Sequence, residues 1–162
     1  DMVAAYFSPN YGMLRRLGRI ARRGGTVRLV GAARSDNGAT VAAWRHCLRR
    51  LLARGADIYA YEATMLHMKL IVADDVVWIG SANFDMRSLY LNLELMLRIE
   101  DAALAREARA LVARLTGQSR RITRASHEAR SGWLRRIRWT LGYFLVAVLD
   151  PAVSARLFRL EE

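Results

Sequence analysis

Hydrophobic residues in the first third of the chain switch between two spacings, and each spacing predicts a different element. Short apolar runs over residues 2–7, 26–30 and 57–61 predict strands. Between them, apolar side chains recur at helical spacing over residues 13–21 and 41–53, and glycines follow both segments, as expected for two helices. Alternating strands and helices imply right-handed crossovers, so we expect a parallel core.

The middle of the chain predicts an extension of this sheet. Two apolar runs, 68–73 and 76–79, are separated by Asp74 and Asp75, where a tight hairpin turn is expected. Residues 91–99 alternate between leucine or isoleucine and other residues, which predicts a strand with Asn92 and Glu94 on its polar face. A helix is expected over 101–115. The predicted fold class is α/β, with a mixed, mostly parallel sheet flanked by helices.

Composition fits a single folded core. A chain of 162 residues can bury one good-sized core, and a hydrophobic fraction of 53% is above that of disordered chains. The one cysteine, Cys47, excludes an internal disulfide. It lies within the second predicted helix, where we expect a small buried side chain rather than a catalytic group.

Charge is concentrated near the end of the chain. The formal net charge of +11 favours an anionic partner, either a lipid surface or nucleic acid. Seven arginines lie between positions 120 and 138, and the apolar run 139–149 follows directly. This run is too short to cross a bilayer, which needs about 20 residues. The pattern favours a helix resting on an anionic membrane surface, with a helix packed on the core as the alternative.

Candidate chemistry lies between positions 67 and 94. His67 and Lys69 are two residues apart beside a predicted strand, so their side chains point to one face, about 7 Å apart. A neutral imidazole can attack phosphorus and form a phosphohistidine, which splits one difficult displacement into two easier steps. A lysine ammonium and the amide of Asn83 can stabilise charge on the phosphate oxygens. These residues predict phosphoryl transfer that needs neither a metal nor a cofactor.

A carboxylate is expected to orient the imidazole and to steady its positive charge. Glu94 is the best candidate, because the alternation places it on the polar face of its strand. Asp74 is the weaker candidate, since it falls in the predicted turn. Ser81 either donates to phosphate or only caps its turn, while Asp85 is expected to hold the loop after that turn.

The block from His67-Met68-Lys69 through Asp74 to Gly80-Ser81-Ala82-Asn83 resembles the H-x-K-x4-D and G-S-x-N elements of the phospholipase D superfamily. Residues 85–94 are similar to the corresponding segment of bacterial cardiolipin synthases, and the resemblance covers almost the whole chain. Between Asp74 and Gly80 the chain is one residue shorter than the family pattern, which a tighter hairpin would absorb. The roles that the resemblance implies are catalytic for His67, Lys69, Asp74 and Glu94, and phosphate-binding for His67, Lys69, Ser81 and Asn83.

The superfamily builds one active site from two such motifs, whereas this chain carries one. His46 and His127 have no lysine two residues later, so neither starts a second copy. We expect the second half from the missing N-terminal part of a longer protein, or from a homodimer partner. In a longer protein the resemblance makes His67 the general acid, while in a homodimer it could be acid or nucleophile.

On this resemblance, residues 1–117 are a phospholipase D-like catalytic half-domain, and residues 118–162 are a basic linker with an apolar helical tail. The implied function is a phosphatidyltransferase that moves a phosphatidyl group from phosphatidylglycerol, or a similar phospholipid, to a lipid alcohol and gives cardiolipin. Expected partners are an anionic phospholipid substrate, the membrane surface and the second motif-bearing half. The expected location is peripheral, on the cytoplasmic face of the bacterial inner membrane.

Two alternatives remain open from the sequence. One is a phosphodiesterase or nuclease of the same superfamily that acts as a homodimer; the apolar tail argues against nucleic acid as its partner. The other is a half-domain that only binds a membrane or a partner protein.

Overall fold

The structure, a computed structural model, describes residues 1–35 and 37–149, in which nine strands and six α-helices follow one another. The strands are β1 (Met2–Ala4), β2 (Phe7–Ser8), β3 (Arg28–Ala32), β4 (Asp57–Tyr61), β5 (Lys69–Ala73), β6 (Val76–Gly80), β7 (Phe84–Asp85), β8 (Met96–Glu100) and β9 (Ser119–Ile122). The helices are α1 (Tyr11–Arg22), α2 (Gly38–Leu52), α3 (Met86–Tyr90), α4 (Ala102–Gly117), α5 (Arg124–Ala129) and α6 (Trp133–Phe144), which a π-helical turn (Leu145–Leu149) continues.

Seven strands form one mixed sheet in the order β8-β6-β5-β1-β3-β4-β9, and β2 pairs separately with β7. β1, β3 and β4 are parallel neighbours, as the alternation of strands and helices predicts. The other neighbours in this sheet are antiparallel, so the expectation of a mostly parallel sheet is wrong. One reason is local: β5 and β6 are joined by a two-residue turn, which only antiparallel neighbours allow.

Two predicted strands are shorter than expected. The segment 2–7 is interrupted at Ala5 and Tyr6, which separates β1 from β2. The segment 91–99 forms a strand only from Met96 onward. Before that point the backbone N–H of Leu95 donates to the hydroxyl of Ser81 at 3.0 Å, so a side chain takes the place of a strand partner.

The core has two layers, one on each face of the sheet. On one face, α1, α2 and α6 cover residues such as Leu29 and Ile58, while α4 covers Val30 and Val72 on the other. Cys47 is fully buried in the first layer, which agrees with its expected packing role. The motif residues lie along β5 and β6, beyond the parallel centre of the sheet.

The segment expected to contain a linker forms a strand and a helix. β9 pairs with β4 at the edge of the sheet, where Arg121 and Asp57 form an ion pair at 2.6 Å. α5 follows with a capping box at Thr123, which fixes its first turn. Division of the chain at 117/118 remains a prediction, and residues 150–162 of the expected tail lie outside the described residues.

α6 packs on α2 and also presents an apolar outer face. Trp139 and Tyr143 are buried, and Gly142 lets α6 approach Ala42 so closely that an added Cβ would lie 2.5 Å from the alanine Cβ. The Tyr143 hydroxyl donates to the Pro9 carbonyl at 2.9 Å. Large apolar side chains remain exposed on the other side of the same helix, among them Trp133, Leu134, Ile137 and Leu141. One face of this helix therefore packs on the core, as one of the two expectations requires, while binding of the open face to a membrane surface remains a prediction.

None of the helices in the described part of the chain combines the length and the apolar character that crossing a membrane requires.

Candidate functional site

His67 and Lys69 lie at the start of β5. His67 belongs to the extended segment before the strand and is exposed, whereas Lys69 is the first residue of the strand and only 9% exposed. The ammonium of Lys69 donates to the backbone carbonyl of His67 at 2.8 Å. This hydrogen bond holds a buried cation directly beside the backbone that carries the imidazole.

Two carboxylates influence the pKa of Lys69. Burial lowers the pKa of Lys69 from its ordinary value, while the negative charges of Glu94 and Asp85 partly oppose that shift. Lys69 in turn helps to lower the pKa of Glu94. The fold therefore brings Lys69 and Glu94, which are 25 positions apart in the sequence, into one electrostatic cluster.

Glu94 is held by neighbouring polar side chains. The hydroxyl of Ser81 donates to its Oε2 at 2.5 Å, and the amide of Asn92 donates to its Oε1 at 3.2 Å. These bonds, with Ser81 the largest influence, lower the pKa of Glu94, so the side chain carries its negative charge at neutral pH. Because its hydrogen bonds come from Ser81 and Asn92, the pairing of Glu94 with His67 stays a prediction.

Ser81 also fixes the chain before β8. Its backbone N–H donates to the carbonyl of Leu95 at 3.0 Å, and its hydroxyl accepts from the N–H of the same residue. The preceding Gly80 permits this approach, because a Cβ there would lie 2.0 Å from the carbonyl oxygen of Leu95. The turn after β6 therefore depends on glycine for close backbone packing, and on serine for the link to Glu94.

Replacing Gly80 with alanine is expected to lower the free energy of unfolding by about 1–3 kcal/mol, the range for overpacked sites. The added methyl group would meet backbone atoms of Leu95 and Met96, which cannot rotate away as a side-chain tip can. Urea unfolding followed by circular dichroism measures the change. Gly38→Ala is the matched control, since a Cβ at Gly38 meets no atom within 4 Å. Equal stability of the two variants would contradict the assignment.

Asn83 is partly buried close to this turn. Its side-chain Oδ1 is buried and has no hydrogen-bond partner among the described residues. An unpaired buried polar atom costs free energy, and such atoms are concentrated at functional sites. Its predicted contact with phosphate remains a prediction.

The structure does not bring Asp74 to this cluster. It occupies the β5–β6 turn, where its φ of 49° is a left-handed conformation that aspartate tolerates in tight turns. From there to Lys69 the strand extends five residues, about 16 Å at the usual rise. The carbonyl of Asp74 accepts a hydrogen bond from Arg109. The predicted hairpin is confirmed, and the geometry of Asp74 is that of a turn residue.

Ser88 was missed at the sequence level. It is 7% exposed, and its side chain contributes hydrogen bonds that lower the pKa of both Asp85 and Glu94. Asp85 caps α3 by accepting the N–H of Ser88 at 2.9 Å, as its expected role in holding the loop requires. The Asp-x-x-Ser spacing of Asp85 and Ser88, which is typical of a helix N-cap, could have indicated this contact. Burial still raises the pKa of Asp85 overall.

An exposed apolar surface, the leucine stripe, borders the site. It consists of Leu93, Leu95, Leu97 and Ile79, which are 104%, 71%, 53% and 43% exposed. β8 is an edge strand, and Leu97 pairs directly with Ile79. The predicted alternation is therefore present, but the apolar side of this segment faces solvent beside Glu94 rather than the core.

Comparison with known proteins finds the family described as cardiolipin synthase, PLD-like domain, whose model matches residues 1–116. Cardiolipin synthase A of Klebsiella pneumoniae (strain 342) is 33% identical over 139 residues, which are 85% of this chain and 27% of that protein. Cardiolipin synthase A of Citrobacter koseri is 32% identical over 149 residues, which are 91% of this chain and 30% of that protein. The chain thus spans less than a third of the length of these curated relatives.

Two solved structures share the fold. A phospholipase D family member, Nuc from Salmonella typhimurium, has a TM-score of 0.65 at 23% identity, over 75% of this chain and 80% of that one. Phosphatidylserine synthase from Haemophilus influenzae Rd KW20 also has a TM-score of 0.65, at 14% identity, over 89% of this chain and 38% of that one. These similarities support a phospholipase D-like α/β fold.

Proposed function

The chain belongs to the PLD-like domain family of cardiolipin synthases, and from this premise we propose that it contributes one half of a phosphatidyltransferase active site. The donor would be phosphatidylglycerol or a similar phospholipid, and the acceptor a lipid alcohol, so that the product is cardiolipin. The observation that carries the proposal is the ammonium of Lys69, a residue only 9% exposed, which donates to the carbonyl of the exposed His67 at 2.8 Å.

The proposed reaction has two displacements. In the first, an imidazole nitrogen attacks the phosphorus of the donor, a phosphorus–nitrogen bond forms, and glycerol leaves with a proton from a general acid. In the second, the hydroxyl of another phosphatidylglycerol attacks that phosphorus while its proton is removed, and the imidazole is released. Lys69 would stabilise the negative charge on the phosphate oxygens in both steps.

These steps require two groups on opposite sides of the phosphorus, a nucleophile and an acid. The chain supplies His67 for one role, and a second motif-bearing half would supply the other. The leucine stripe supports such pairing, because soluble proteins rarely leave large apolar side chains clustered in water unless a partner covers them. The unpaired backbone edge of β8 lies along the same surface.

Introducing charge into the leucine stripe is expected to prevent this pairing. We expect Leu95→Asp/Leu97→Asp to sediment as a monomer and to lose more than about 100-fold in activity, since aspartates buried at an interface carry a large desolvation cost. Analytical ultracentrifugation and the transfer assay measure both effects. The matched control is Ile20→Asp on α1, an apolar residue that is 48% exposed far from β8. Equal loss in that variant would contradict a specific interface.

Association with the membrane surface is part of the proposal. α6 presents exposed apolar side chains, among them Trp133 and Ile137, next to Arg135 and Arg138. Aromatic, aliphatic and basic side chains on one helix are typical of segments that rest at an anionic interface. We propose that the protein binds peripherally to the bacterial inner membrane, on its cytoplasmic face.

The direct test compares two anionic substrates. Vesicles containing radiolabelled phosphatidylglycerol are expected to yield labelled cardiolipin and free glycerol, whereas supercoiled plasmid DNA is expected to remain intact. The assay is run over a range of protein concentrations, because a homodimer gains activity more steeply than linearly as it assembles. Phosphatidic acid as the main lipid product would indicate a hydrolase, while nicked plasmid without lipid turnover would indicate the nuclease alternative.

A further inference from the structure

Two basic cavities are lined by residues of α2, α5 and α6, and β9 also contributes to the second. Their volumes are about 330 and 390 Å³. Five arginines line the first and five the second, with Arg45 common to both. No carboxylate of the described residues lines either cavity. The acids close by are already paired: Glu62 with Arg120 and Glu128 with Arg124, both at 2.8 Å.

The positive charges in these cavities repel one another. The pKa of Arg45 is lowered, first by burial and then by Arg120 and Arg130. The pKa of His127 is lowered by burial and next by Arg45. An anion entering the cavities would relieve this repulsion, and guanidinium groups bind phosphate through paired, charge-assisted hydrogen bonds.

His127 supplies a second, independent indication of a ligand. It is 4% exposed, it lines both cavities, and its Nε2 has no hydrogen-bond partner within the described chain. The nearby His46 differs, since Tyr11 and Thr140 bond its two ring nitrogens at 2.9 and 3.2 Å. Trp139 stacks on the His127 ring with 5.1 Å between centroids, which holds the ring in place. A phosphate oxygen in the cavity would satisfy Nε2 when this nitrogen carries a hydrogen.

An apolar groove continues from the second cavity. Its volume is about 510 Å³, and it shares Val41, Arg138 and Trp139 with that cavity. The remaining lining consists of small residues at the start of α2, and of Leu141, Gly142 and Leu145 in α6 and the turn that continues it. A phospholipid has a charged headgroup at one end and apolar acyl chains at the other. A basic cavity that opens into an apolar groove therefore matches both parts of such a molecule.

We propose that the basic cavities bind the headgroup phosphate of an anionic phospholipid, with an acyl chain against the apolar groove, as a docking site separate from His67 and Lys69. The proposal rests on the proposed function only in placing the protein at a membrane. None of the residues that line the cavities or the groove belongs to the cluster around His67 and Lys69, so the lipid held there is distinct from the one that reacts. It fixes the orientation of the domain on the bilayer.

The test uses the full chain carrying His67→Ala, so that no lipid is turned over during the measurement. Arg45→Gln/Arg49→Gln removes two charges from the first cavity. Arg106→Gln/Arg114→Gln, on α4 across the sheet, removes two charges outside both cavities and is the matched control. His127→Phe keeps an aromatic ring on Trp139 and removes only the ring nitrogens. Circular dichroism checks that each variant is folded.

Flotation with phosphatidylglycerol–phosphatidylcholine vesicles, and with phosphatidylcholine vesicles alone, measures partitioning. We expect binding only to the anionic vesicles. Arg45→Gln/Arg49→Gln should weaken this binding about 30-fold, because each basic residue near an anionic membrane contributes a binding free energy of about 1 kcal/mol. The control pair should reduce it only a few-fold, and His127→Phe about tenfold. Histidine ring signals in NMR spectra identify the site, because only His46 and His127 remain in this background, and the His127 signal should shift with anionic vesicles.

Equal losses in the cavity and control pairs would overturn the proposal, since general charge would then explain binding. A His127 signal that shifts with inorganic phosphate or glycerol 3-phosphate, yet stays unchanged with the vesicles, would assign the site to free phosphate instead. Duplex DNA binding that depends on Arg45 and Arg49, without vesicle binding, would assign it to nucleic acid. If the arginine pair does not fold, unchanged partitioning of His127→Phe is the overturning result. Binding without any transfer by the unsubstituted chain would count against the proposed function alone.

Discussion

Replacing His67 with alanine is expected to abolish transfer, and the size of the loss identifies its role. A nucleophile that acts with its partners as one unit costs about 10⁶-fold in kcat when removed. A general acid costs about 10²–10⁴-fold. Because His67 is exposed and outside the core, its replacement leaves the fold unchanged. Initial rates with labelled phosphatidylglycerol, measured on chains of matched circular dichroism, give the ratio.

A substrate with a good leaving group separates the two roles further. A nitrophenyl phosphodiester releases a phenolate that needs no protonation, so it would restore most of the activity if His67→Ala lacks only an acid. No restoration is expected if the variant lacks the nucleophile. His46→Ala is the control, since this ring bonds Tyr11 and Thr140 away from β5. Full transfer activity in His67→Ala would end the catalytic assignment of this residue.

Replacing Lys69 with methionine is expected to lower kcat by about 10²–10³-fold, the usual cost of removing one donor that stabilises charge in the transition state. Methionine keeps an unbranched side chain that is one atom shorter, and it lacks the ammonium that donates to the His67 carbonyl at 2.8 Å. KM should change little, since the interaction strengthens as negative charge develops on the phosphate oxygens. Steady-state kinetics on mixed vesicles separate the two constants.

The variant Glu94→Gln tests how the charge of Glu94 affects the pKa of Lys69. The carboxylate of Glu94 raises the pKa of Lys69 against the effect of burial, so without it that pKa falls further below its ordinary value. The alkaline limb of the pH–rate profile, where Lys69 loses its proton, should therefore move to lower pH. Arg98→Gln removes a charge from the exposed face of β8 and should leave the alkaline limb in place.

For the Lys69 prediction, a Lys69→Met variant with normal kcat would show that the ammonium is structural only.

Local patterns in the sequence predicted the elements well, because helical and strand periodicity report burial on one face. The strand 57–61 was predicted with its observed bounds, and the turn at Asp74 and Asp75 followed from two acidic residues between apolar runs. Errors arose where tertiary bonding overrode the pattern. Residues 91–95 alternate like a strand, yet the Ser81 hydroxyl captures the amide of Leu95 and the ladder begins one residue later.

The candidate site was only partly accessible to the same reasoning. The spacing of His67 and Lys69 placed them together, and the alternation, with the resemblance to the phospholipase D superfamily, suggested that Glu94 was nearby. The sequence could not show that Glu94 would bond Ser81, nor that Ser88 would be buried against the same carboxylate, since both depend on how the β6 turn meets the segment before β8. The basic cavities were further out of reach, because Arg45 and His127 are brought together only by the packing of α5 and α6 on α2.

The bond from the Tyr143 hydroxyl to the Pro9 carbonyl decides where the chain can be cut. The match to the family model ends at residue 116, which suggests an expression boundary there. Yet Tyr143 and Ala147 belong to the same core layer as Trp44 and Leu48. Truncation after α4 would remove α6 and expose the apolar face of α2, so we expect the resulting fragment to aggregate. We therefore expect a stable fragment to extend at least through the π-helical turn that ends at Leu149.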